Sequence, residues 1–245
     1  MARSVKLSIS EPDTRRFGMP YVRAQDLTLA DLAATLDYCR DHRAGVCVAR
    51  CATGDFATIH ALEDEGFRLM DTLVYYQAHL DDTPIPERRL ALPIRSARPE
   101  ESGAVGQLAA AAFRHYFSHY HADPRFDRRK VDEVFIDWAS RSCLDKSVAD
   151  EVLVADAGDE LGAFATLRFN DHAEGEGVLF AVHPKQQGKG LYRDLMISGM
   201  QWCKDHGRGR MVVSTQVNNY TVQRAWIRLG FVIYKSFDTF HKWFS

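Results

Sequence analysis

The sequence predicts a mixed α/β fold, and three observations support this prediction. Short apolar runs of strand length, among them residues 151–155, 161–167 and 178–182, alternate with segments whose apolar residues recur at helical spacing. A glycine-containing turn at residues 187–190 joins one of these runs to a helical segment. Parts of the N-terminal half also recur 164 positions later in the chain. Strands that alternate with helices in this way are typical of a sheet covered by helices.

The composition favours a globular protein that acts on small molecules. The chain has 245 residues, of which 46% are hydrophobic and 26% charged, and its net charge is −2. This balance gives no electrostatic footprint for nucleic acid or an anionic membrane, and no apolar run approaches the roughly 20 residues that span a bilayer. The five cysteines are scattered and odd in number, and no signal-like apolar core follows Met1. We therefore expect a cytoplasmic protein with no metal site.

An internal repeat organises the chain. At a single offset, residues 39–42, 55 and 66–67 align with residues 203–206, 219 and 230–231. Each copy predicts a helix, a strand, a second helix and a Gly-Phe pair followed by two strands. The repeat indicates a duplicated domain, with residues 1–82 as the N-terminal copy and residues 91–245 as the C-terminal copy. Residues 83–90 combine prolines with charges and are predicted to form an exposed linker.

The two copies differ at the glycine turn. The offset pairs this turn with a segment that has no glycine and carries a carboxylate, so that Arg23, Ala24 and Asp26 lie opposite Gln187, Gly188 and Gly190. A carboxylate at this place disfavours binding of an anion. We therefore expect that the N-terminal copy does not bind a phosphate group. Two roles stay open for it: one wall of an acceptor site, or a purely structural packing partner.

The elements of the C-terminal half follow from its apolar spacing. Apolar residues recur every three or four positions in each predicted helix, whereas the predicted strands are short apolar runs. Gly230 follows the last predicted helix and is a typical helix stop. In order, the predicted elements are a strand at 90–98, helices at 100–113 and 130–140, a hairpin of strands at 151–155 and 161–167, a strand at 178–182, a helix from 191, a strand at 211–214 and a helix that ends at 229.

The turn at residues 187–190 predicts a phosphate site. Gly188 and Gly190 let backbone N–H groups approach an anion without a Cβ in between, and the helix that follows presents its positive end. The spacing is neither the Gly-x-Gly-x-x-Gly of dinucleotide sites nor the Gly-x-x-x-x-Gly-Lys-Ser/Thr of nucleoside triphosphate sites. A plain connection between strand and helix is the alternative, because glycine turns are common.

The same segment resembles the acetyl-CoA-binding core of the GNAT acyltransferases. The resemblance is carried by Val182-x-Pro184-x-x-Gln187-Gly188-Lys189-Gly190, by Asn219 and by residues 226–231, and it extends upstream to residues 94–101. It covers roughly residues 93–245 and implies a GNAT fold there, preceded by a degenerate, partial GNAT-like domain. The implied activity is transfer of an acetyl group from acetyl-CoA to a primary amine, by direct attack in a ternary complex. The layout of the chain and residues 240–243 are similar to those of members that acetylate the 4-amino group of a nucleotide-linked deoxysugar.

The resemblance also implies which residues contact acetyl-CoA as the acyl donor. The backbone of strand 180–182 pairs with the pantetheine arm, and the amides of residues 187–192 hold the diphosphate. Asn219 contacts the arm, although an asparagine that opens a helix also suits a plain N-cap. Trp226 occupies a position where many relatives carry a tyrosine that protonates the thiolate. The implied cofactor-binding residues are Phe180, Ala181, Val182, Gln187, Gly188, Lys189, Gly190, Leu191, Tyr192, Asn219 and Trp226.

The catalytic acid and base are open at this stage. An indole N–H does not titrate usefully, so Tyr192, Tyr220 or water must protonate the departing thiolate. Candidates for the base that takes the amine proton are Glu176, His121, His119 and a chain of water molecules. A surface position in a glycine-rich turn is the competing interpretation of Glu176.

Residues 113–126 form the predicted acceptor site. They concentrate histidines, aromatic rings and arginines between two predicted helices. Rings can stack on a base or a sugar, and guanidinium groups can pair with a diphosphate. A surface loop with chance histidines is the alternative, and the histidine spacing does not favour a metal. The predicted substrate-binding residues are Arg114, Tyr116, His119, His121 and Arg125.

Two broader alternatives stay open. The acceptor could instead be an amino acid, a polyamine, an antibiotic or a peptide, or the chain could bind acyl-CoA without turnover. No cysteine is positioned as a covalent acyl carrier. The sequence leaves the oligomeric state open, a homodimer included.

Overall fold

The computed structural model describes residues 5–82, 84–90, 92–158 and 160–244. Strands and helices alternate along these residues. In chain order the elements are β1 (Lys6–Ile9), α1 (Glu11–Phe17), β2 (Tyr21–Gln25), α2 (Leu32–Asp41), β3 (Val46–Ala52), α3 (Phe56–Asp64), β4 (Arg68–His79), β5 (Ile94–Ser96), α4 (Ser102–Ala112), α5 (His119–Ala122), α6 (Arg128–Ser142), β6 (Glu151–Asp156), β7 (Leu161–Phe169), β8 (Glu174–Val182), α7 (Leu191–Asp205), β9 (Arg210–Gln216), α8 (Tyr220–Ile227) and β10 (Val232–Trp243).

The strands of the described residues form one mixed sheet. Their order is β1-β2-β3-β10-β4-β9-β8-β7-β6-β5. Two neighbouring pairs, β2 with β3 and β8 with β9, run parallel, and the other pairs run antiparallel. The mixed α/β fold predicted from the sequence is therefore confirmed.

Strands from the two halves of the chain interleave in this sheet. The last strand, β10, lies between β3 and β4, with Trp243 opposite Val46 of β3. β4 pairs in turn with β9, where Leu73 lies opposite Gln216. The N-terminal half therefore continues the sheet directly beside β9. The division into two domains at residues 83–90 stays a prediction.

Residues 84–90 contact the C-terminal half and do not simply cross solvent. Ile85 and Leu90 pack against its core. The amides of Arg89 and Leu90 donate to one carboxylate oxygen of Asp194, at 2.9 and 2.7 Å. Asp194 is buried in the first turn of α7, so these bonds hold the start of the helix that follows the glycine turn. Residues 83 and 91, which flank this segment, lie outside the described residues.

The internal repeat is visible in the elements themselves. Shifted by 164 positions, β3, α3 and β4 fall on β9, α8 and β10. Each copy has one long strand after its Gly-Phe pair. The expectation of two strands there was wrong, because β10 accommodates its register shifts against β4 as irregularities and continues.

The offset does not extend to the glycine turn. Arg23 and Ala24 lie within β2, and α2 has 10 residues where α7 has 15. Their predicted alignment with the turn was therefore wrong. The segment between β2 and α2 nevertheless contains no glycine, since residues 26–31 read Asp-Leu-Thr-Leu-Ala-Asp.

Helices cover both faces of the sheet near its centre. On β7, Ala163, Ala165 and Leu167 belong to the same apolar cluster as Leu195 of α7. Phe164, which points to the other face because strand side chains alternate, belongs to the cluster of α4 and α6. The strands around the glycine turn are thus fixed from both sides.

Some features bear on membranes, metals and cysteines. No helix in the described ranges is long and apolar enough to cross a membrane. Within those same residues, no group of three or more His, Cys, Asp or Glu side chains comes together as a metal site would require. All five cysteines are free.

Candidate functional site

The parallel strands β8 and β9 separate halfway along their length. They pair from Glu174 opposite Arg210 to Gly177 opposite Val213, and no pairing beyond this point joins them. A Cβ at Gly177 would lie 2.5 Å from the ring of Phe180, so a glycine is required where the strands part. Val178, the next residue, is an extra residue against β7 and forms a bulge. Residues 178–182 therefore present a strand edge that β9 does not cover.

A cavity of about 480 Å³ fills this opening, a size typical of small-molecule sites. We call it the large cavity. Of the eleven residues predicted to bind the cofactor, all except Lys189 line it. The sequence did not predict several apolar lining residues, among them Ala112 of α4, Phe135 of α6 and Val222 of α8.

The glycine turn has the backbone that the sequence predicted. Gly188 and Gly190 have φ of +76° and +89°. A Cβ on either residue would meet no atom within 4 Å, so glycine is needed here for its backbone conformation and not for lack of room. α7 begins directly after the turn, and the first amides of a helix have no partner inside it. These amides and the positive helix end suit the diphosphate of an acyl-CoA.

Two side chains of the turn are engaged elsewhere. Gln187 donates from Nε2 to the backbone oxygen of Val182 at 3.3 Å, which ties the turn to the end of β8. Lys189 donates from Nζ to Oε1 of Gln186 at 2.9 Å and lies outside the cavity lining. The backbone of the turn, more than its side chains, therefore faces the cavity.

Asn219 occupies the N-cap of α8 without capping it. Its side chain makes no bond to the helix and instead donates from Nδ2 to Oγ1 of Thr215 on β9, at 3.0 Å. The equivalent residue of the first copy, Asp55, does cap its helix and accepts from the amide of Thr58 at 3.2 Å. The position therefore has a capping role in one copy and lines a cavity in the other.

Tyr192 and Trp226 meet in the large cavity. The indole Nε1 of Trp226 donates to the phenol oxygen of Tyr192 at 3.0 Å. Burial raises the pKa of Tyr192, so the phenol stays protonated near neutral pH. Tyr220, the other tyrosine considered from the sequence, is 64% exposed and does not line the cavity.

A second cavity of about 240 Å³, the small cavity, adjoins the first. Residues from both halves of the chain line it, including Arg23, Arg50 and Tyr75 of the N-terminal half. Six residues line both cavities: Tyr116, Phe135, Val178, Leu179, Ser214 and Thr215. The two cavities therefore share a wall around the point where β8 and β9 separate.

Only some of the predicted acceptor residues line a cavity. Tyr116 lines both cavities, and its hydroxyl donates to Oε1 of Gln216; burial raises its pKa to about 12. His119 lines the small cavity. Arg114 is exposed, and Arg125 pairs with Asp123 at 3.0 Å; neither lines a cavity.

His121 is directed away from both cavities. Its Nδ1 accepts from the amide of Ser118 at 3.1 Å, which closes the first turn of α5. Its Nε2 lies 3.4 Å from Oδ1 of Asp132 on α6, and burial lowers its pKa. In the structure this histidine fastens α5 locally.

Glu176 is buried and lines the small cavity. The competing interpretation of a surface position was therefore wrong. Oε2 of Glu176 accepts from Nε and Nη2 of Arg168, at 2.9 and 2.5 Å. The guanidinium neutralises this carboxylate beside the cavity.

A chain of three polar side chains reaches the small cavity, and sequence reasoning missed two of them. His119 lies beside His241 of β10, which lies beside Asp123, with nitrogen–nitrogen and nitrogen–oxygen distances of 2.9 Å each. His241 is separated from Asp123 by more than 100 positions in the sequence, so no local spacing could pair them. In the sequence, residues 240–243 contribute only to the family resemblance.

The opened sheet and the glycine turn define a member of the acyltransferase fold class. Residues 108–231, about half of the chain, match the model of the acetyltransferase (GNAT) family, and the chain belongs to that family. The resemblance noted in the sequence is thereby confirmed.

The chain is similar to one curated relative and to two solved structures, as follows. The chain is 26% identical over 145 residues to the spore coat polysaccharide biosynthesis protein SpsD of Bacillus subtilis (strain 168), a match that covers 59% of this chain and 48% of that protein. It thus spans about half the length of this relative. A GCN5-related N-acetyltransferase from Sphaerobacter thermophilus is 14% identical, with a TM-score of 0.64 over 98% of this chain and 76% of its own. A tandem GNAT protein from the clavulanic acid biosynthesis pathway, solved without AcCoA, is 14% identical, with a TM-score of 0.66 over 98% of this chain and 78% of its own. At such identities the likeness concerns the fold alone.

Proposed function

We propose that the protein is an acetyl-CoA-dependent N-acetyltransferase that acetylates a primary amine of an anionic acceptor. The favoured acceptor is the 4-amino group of a nucleotide-linked deoxy amino sugar. One observation carries the proposal: the large and small cavities share six lining residues around the point where β8 and β9 separate. An acyl donor in one cavity and an amine in the other are held for direct reaction at that point.

The large cavity suits acetyl-CoA in three respects. The turn that contains Gly188 and Gly190 offers backbone amides to the diphosphate. The uncovered edge of β8 at residues 178–182 offers backbone groups to the pantetheine amides, as the family resemblance implies. Apolar side chains such as Phe113 and Val222 surround the rest of the arm.

The proposed reaction forms one carbon–nitrogen bond, breaks one carbon–sulfur bond and transfers two protons. The amine nitrogen attacks the acetyl carbonyl carbon, and the carbon–sulfur bond breaks. The amine loses one proton to a base, and the departing thiolate takes one proton to become free coenzyme A. Tyr192 is the proposed donor of that second proton, because it lines the large cavity and Trp226 donates a hydrogen bond to its hydroxyl.

An unpaired arginine supports an anionic acceptor. Arg23 and Arg168 have carboxylate partners, Asp13 at 2.6 Å and Glu176 at 2.5 Å. Arg50 forms no ion pair among the described residues, and its Nε donates only to the hydroxyl of Thr239, at 3.3 Å. Its guanidinium therefore adds a positive charge to the lining of the small cavity, where a phosphate or carboxylate of the acceptor would bind.

The relative SpsD supports a sugar-linked acceptor, because its name refers to spore coat polysaccharide biosynthesis. A cytoplasmic location and a homodimer stay predictions.

The test measures free thiol released from acetyl-CoA with a panel of amines. The panel contains nucleotide-linked 4-amino deoxysugars, free amino sugars, amino acids, polyamines and short peptides. We expect the nucleotide-linked sugars to give the largest rate above background hydrolysis. A polyamine as the best acceptor would overturn the acceptor class. Acetyl-CoA binding with no thiol release for any amine would leave a non-catalytic acyl-CoA-binding module, which the replacement of the family's tyrosine by Trp226 would then explain.

A variant separates the acceptor class from the chemistry. Arg50→Gln is expected to raise KM for an anionic acceptor about tenfold, since a charge-assisted hydrogen bond is lost, and to change KM for a neutral amine little. Arg43→Gln, at an exposed position outside both cavities, is the matched control. Equal effects of Arg50→Gln on charged and neutral amines would contradict the role of Arg50.

A further inference from the structure

A hydrogen-bonded chain connects a buried carboxylate with the small cavity. His119 opens α5 and is 7% exposed, and its Nδ1 lies 2.9 Å from Nε2 of His241. His241 is fully buried on β10, and its Nδ1 lies 2.9 Å from Oδ2 of Asp123. The chain thus runs from Asp123 through His241 to His119, whose ring lines the small cavity.

The carboxylate end fixes the direction of every bond in this chain. Burial opposes ionisation of Asp123, but donors from His241, Arg125 and Trp243 outweigh it and hold the pKa of this carboxyl well below its usual range. An ionised carboxylate only accepts hydrogen bonds. Nδ1 of His241 must therefore carry the proton that it donates to Asp123.

The same argument fixes the direction of the next hydrogen bond, between His241 and His119. Burial lowers the pKa of His241 and of His119, so both rings are neutral near neutral pH. A neutral imidazole has one donor and one acceptor nitrogen, so Nε2 of His241 accepts and Nδ1 of His119 donates. Nε2 of His119 is then left with a free lone pair, and among the described residues no hydrogen bond engages it.

We propose that His119 is the base that takes the proton from the acceptor amine, and that His241 and Asp123 are positioning residues that keep its Nε2 unprotonated. This proposal rests on the proposed acetyltransferase function. As the nitrogen–carbon bond forms, one amine proton moves to Nε2 of His119, while the carbon–sulfur bond breaks and the thiolate takes its proton from Tyr192. The imidazolium formed on His119 is stabilised through His241 by the negative charge of Asp123. His119 then loses its extra proton to solvent, and Tyr192 regains a proton from solvent.

The other candidate bases are less suited by their contacts. Glu176 lines the small cavity but shares its carboxylate with Arg168. His121 uses Nδ1 to accept from Ser118 and has Nε2 directed at Asp132, outside both cavities. His119 alone among these candidates combines a cavity position with a nitrogen that the described residues leave unengaged.

The first experiment needs no substrate. Full-length protein is prepared with ¹⁵N-labelled histidine, and the ring nitrogen shifts of His119 and His241 are measured near neutral pH. We expect both rings in the neutral form with the proton on Nδ1. In Asp123→Asn an amide can donate to Nδ1 of His241, so both rings are expected to move the proton to Nε2. A proton on Nε2 of His119 in the wild-type protein would overturn the proposal.

The second experiment measures kcat with the best amine of the panel. His119→Gln cannot accept the proton, and we expect a fall in kcat of about 100-fold or more, with acetyl-CoA affinity unchanged within about twofold. Asp123→Asn is expected to lower kcat by at least about tenfold through the wrong tautomer. Added imidazole is expected to restore part of the activity of His119→Gln. His60→Gln, an exposed histidine on α3, is the control.

The pH profile gives a readout that a purely structural role would not change. In the wild-type protein kcat is expected to fall as the pH drops through the pKa of His119, which lies below the ordinary value of 6.5. Besides burial, the charged and titratable groups that act on His119 are His241, Arg50, Arg23 and His121, and all of them lower its pKa. This inflection is expected to be absent in His119→Gln.

The outcomes separate the two proposals. No thiol release with any amine would refute the proposed function, while the ¹⁵N shifts would still decide the tautomer of His119. Turnover by His119→Gln at the wild-type rate, with the wild-type pH profile, would refute the base and leave the acetyltransferase intact. Loss of activity in His121→Gln but not in His119→Gln would assign the base to His121 and likewise overturn the proposal.

Discussion

The indole nitrogen of Trp226 lies 3.0 Å from the phenol oxygen of Tyr192 and donates a hydrogen bond to it. Trp226 is 3% exposed, and both side chains line the large cavity. By the family resemblance, a tyrosine often stands at the position of Trp226. Here α7 supplies a phenol that accepts a hydrogen bond from the tryptophan, so the proposed proton donor and the residue that orients it are on different helices.

Removal of the Tyr192 hydroxyl is the direct test of this arrangement. Tyr192→Phe is expected to lower kcat for thiol release by about 10- to 100-fold, because a positioned acid contributes at least that much. Trp226→Phe removes the orienting donor together with the five-membered ring of the indole, but it leaves the hydroxyl of Tyr192 in place, so kcat is expected to fall less than in Tyr192→Phe. Titration calorimetry should find acetyl-CoA affinity within about threefold of wild type in Tyr192→Phe, since only a hydroxyl is removed and the ring is kept.

The control is Tyr38→Phe on α2, outside both cavities, with kcat expected to be unchanged. Wild-type kcat in Tyr192→Phe would exclude this tyrosine as the acid. If Tyr220→Phe alone lowered kcat, the exposed tyrosine would take its place.

A second prediction concerns the glycine turn. Gly190→Asp is expected to weaken acetyl-CoA binding roughly 100-fold or more, because it sets a like charge against the diphosphate and strains a residue with φ of +89°. Gly207→Asp is the matched control, since Gly207 also has a positive φ, +73°, and an equally open Cβ direction, but follows the far end of α7. Calorimetric titration with acetyl-CoA compares the two. Equal loss of affinity in both would attribute the effect to backbone strain, and wild-type affinity in Gly190→Asp would refute the diphosphate site.

The repeat provides a third prediction, because its two copies use one position differently. Asp55→Ala removes an N-cap bond of α3 and is expected to lower the free energy of unfolding by about 1 kcal/mol, with acetyl-CoA binding unchanged. Asn219→Ala removes no cap and is expected to weaken acetyl-CoA binding while it changes stability less. Urea unfolding and calorimetry measure both quantities. The opposite pattern, with stability lost only in Asn219→Ala, would restore the interpretation of Asn219 as a plain N-cap.

The sequence predicted well those features that local spacing determines. The helix expected at residues 130–140 is α6 at Arg128–Ser142, and the hairpin expected at 151–155 and 161–167 is β6 and β7. Both rest on apolar periodicity, which is a property of neighbouring residues. The glycine turn was predictable for a similar reason, since only glycine favours the positive φ found at Gly188 and Gly190.

The sequence did not predict the features that depend on packing between segments far apart in the chain. β10 lies between β3 and β4, and no local pattern specifies which strands pair across the two halves. Arg50 lies on β3 and His241 on β10, so the place of Arg50 at the small cavity and the contact of His241 with His119 both follow from that pairing. Tyr220 was one of the two tyrosines considered as the acid, but the first turn of α8 directs it outward, where it is 64% exposed.

The final prediction concerns an ion-pair network that joins β5 to the start of α4. Arg95 donates to both carboxylate oxygens of Glu101, at 2.9 and 2.8 Å, and to both of Asp156, at 3.0 and 2.8 Å. The hydrogen bonds from Arg95 are the main cause that lowers the pKa of Glu101 from 4.5 to about 2. Because the folded protein lowers this pKa, the contribution of Glu101 to stability is fully present above pH 4.5 and is lost as the pH falls toward 2.

Glu101→Gln is therefore expected to be less stable than wild type near neutral pH, by at most about 1 kcal/mol because solvent screens the pair. The difference should shrink as the pH drops below 4.5, since the wild-type carboxyl is then progressively protonated and loses the same interaction. Urea unfolding of both proteins at about pH 6, 4 and 3 measures this difference. Glu100→Gln, at the exposed neighbouring position, controls for a change in net charge. A stability difference that stays constant across this range would show that Glu101 acts through its shape or its bond to the Arg98 amide, and not through its charge.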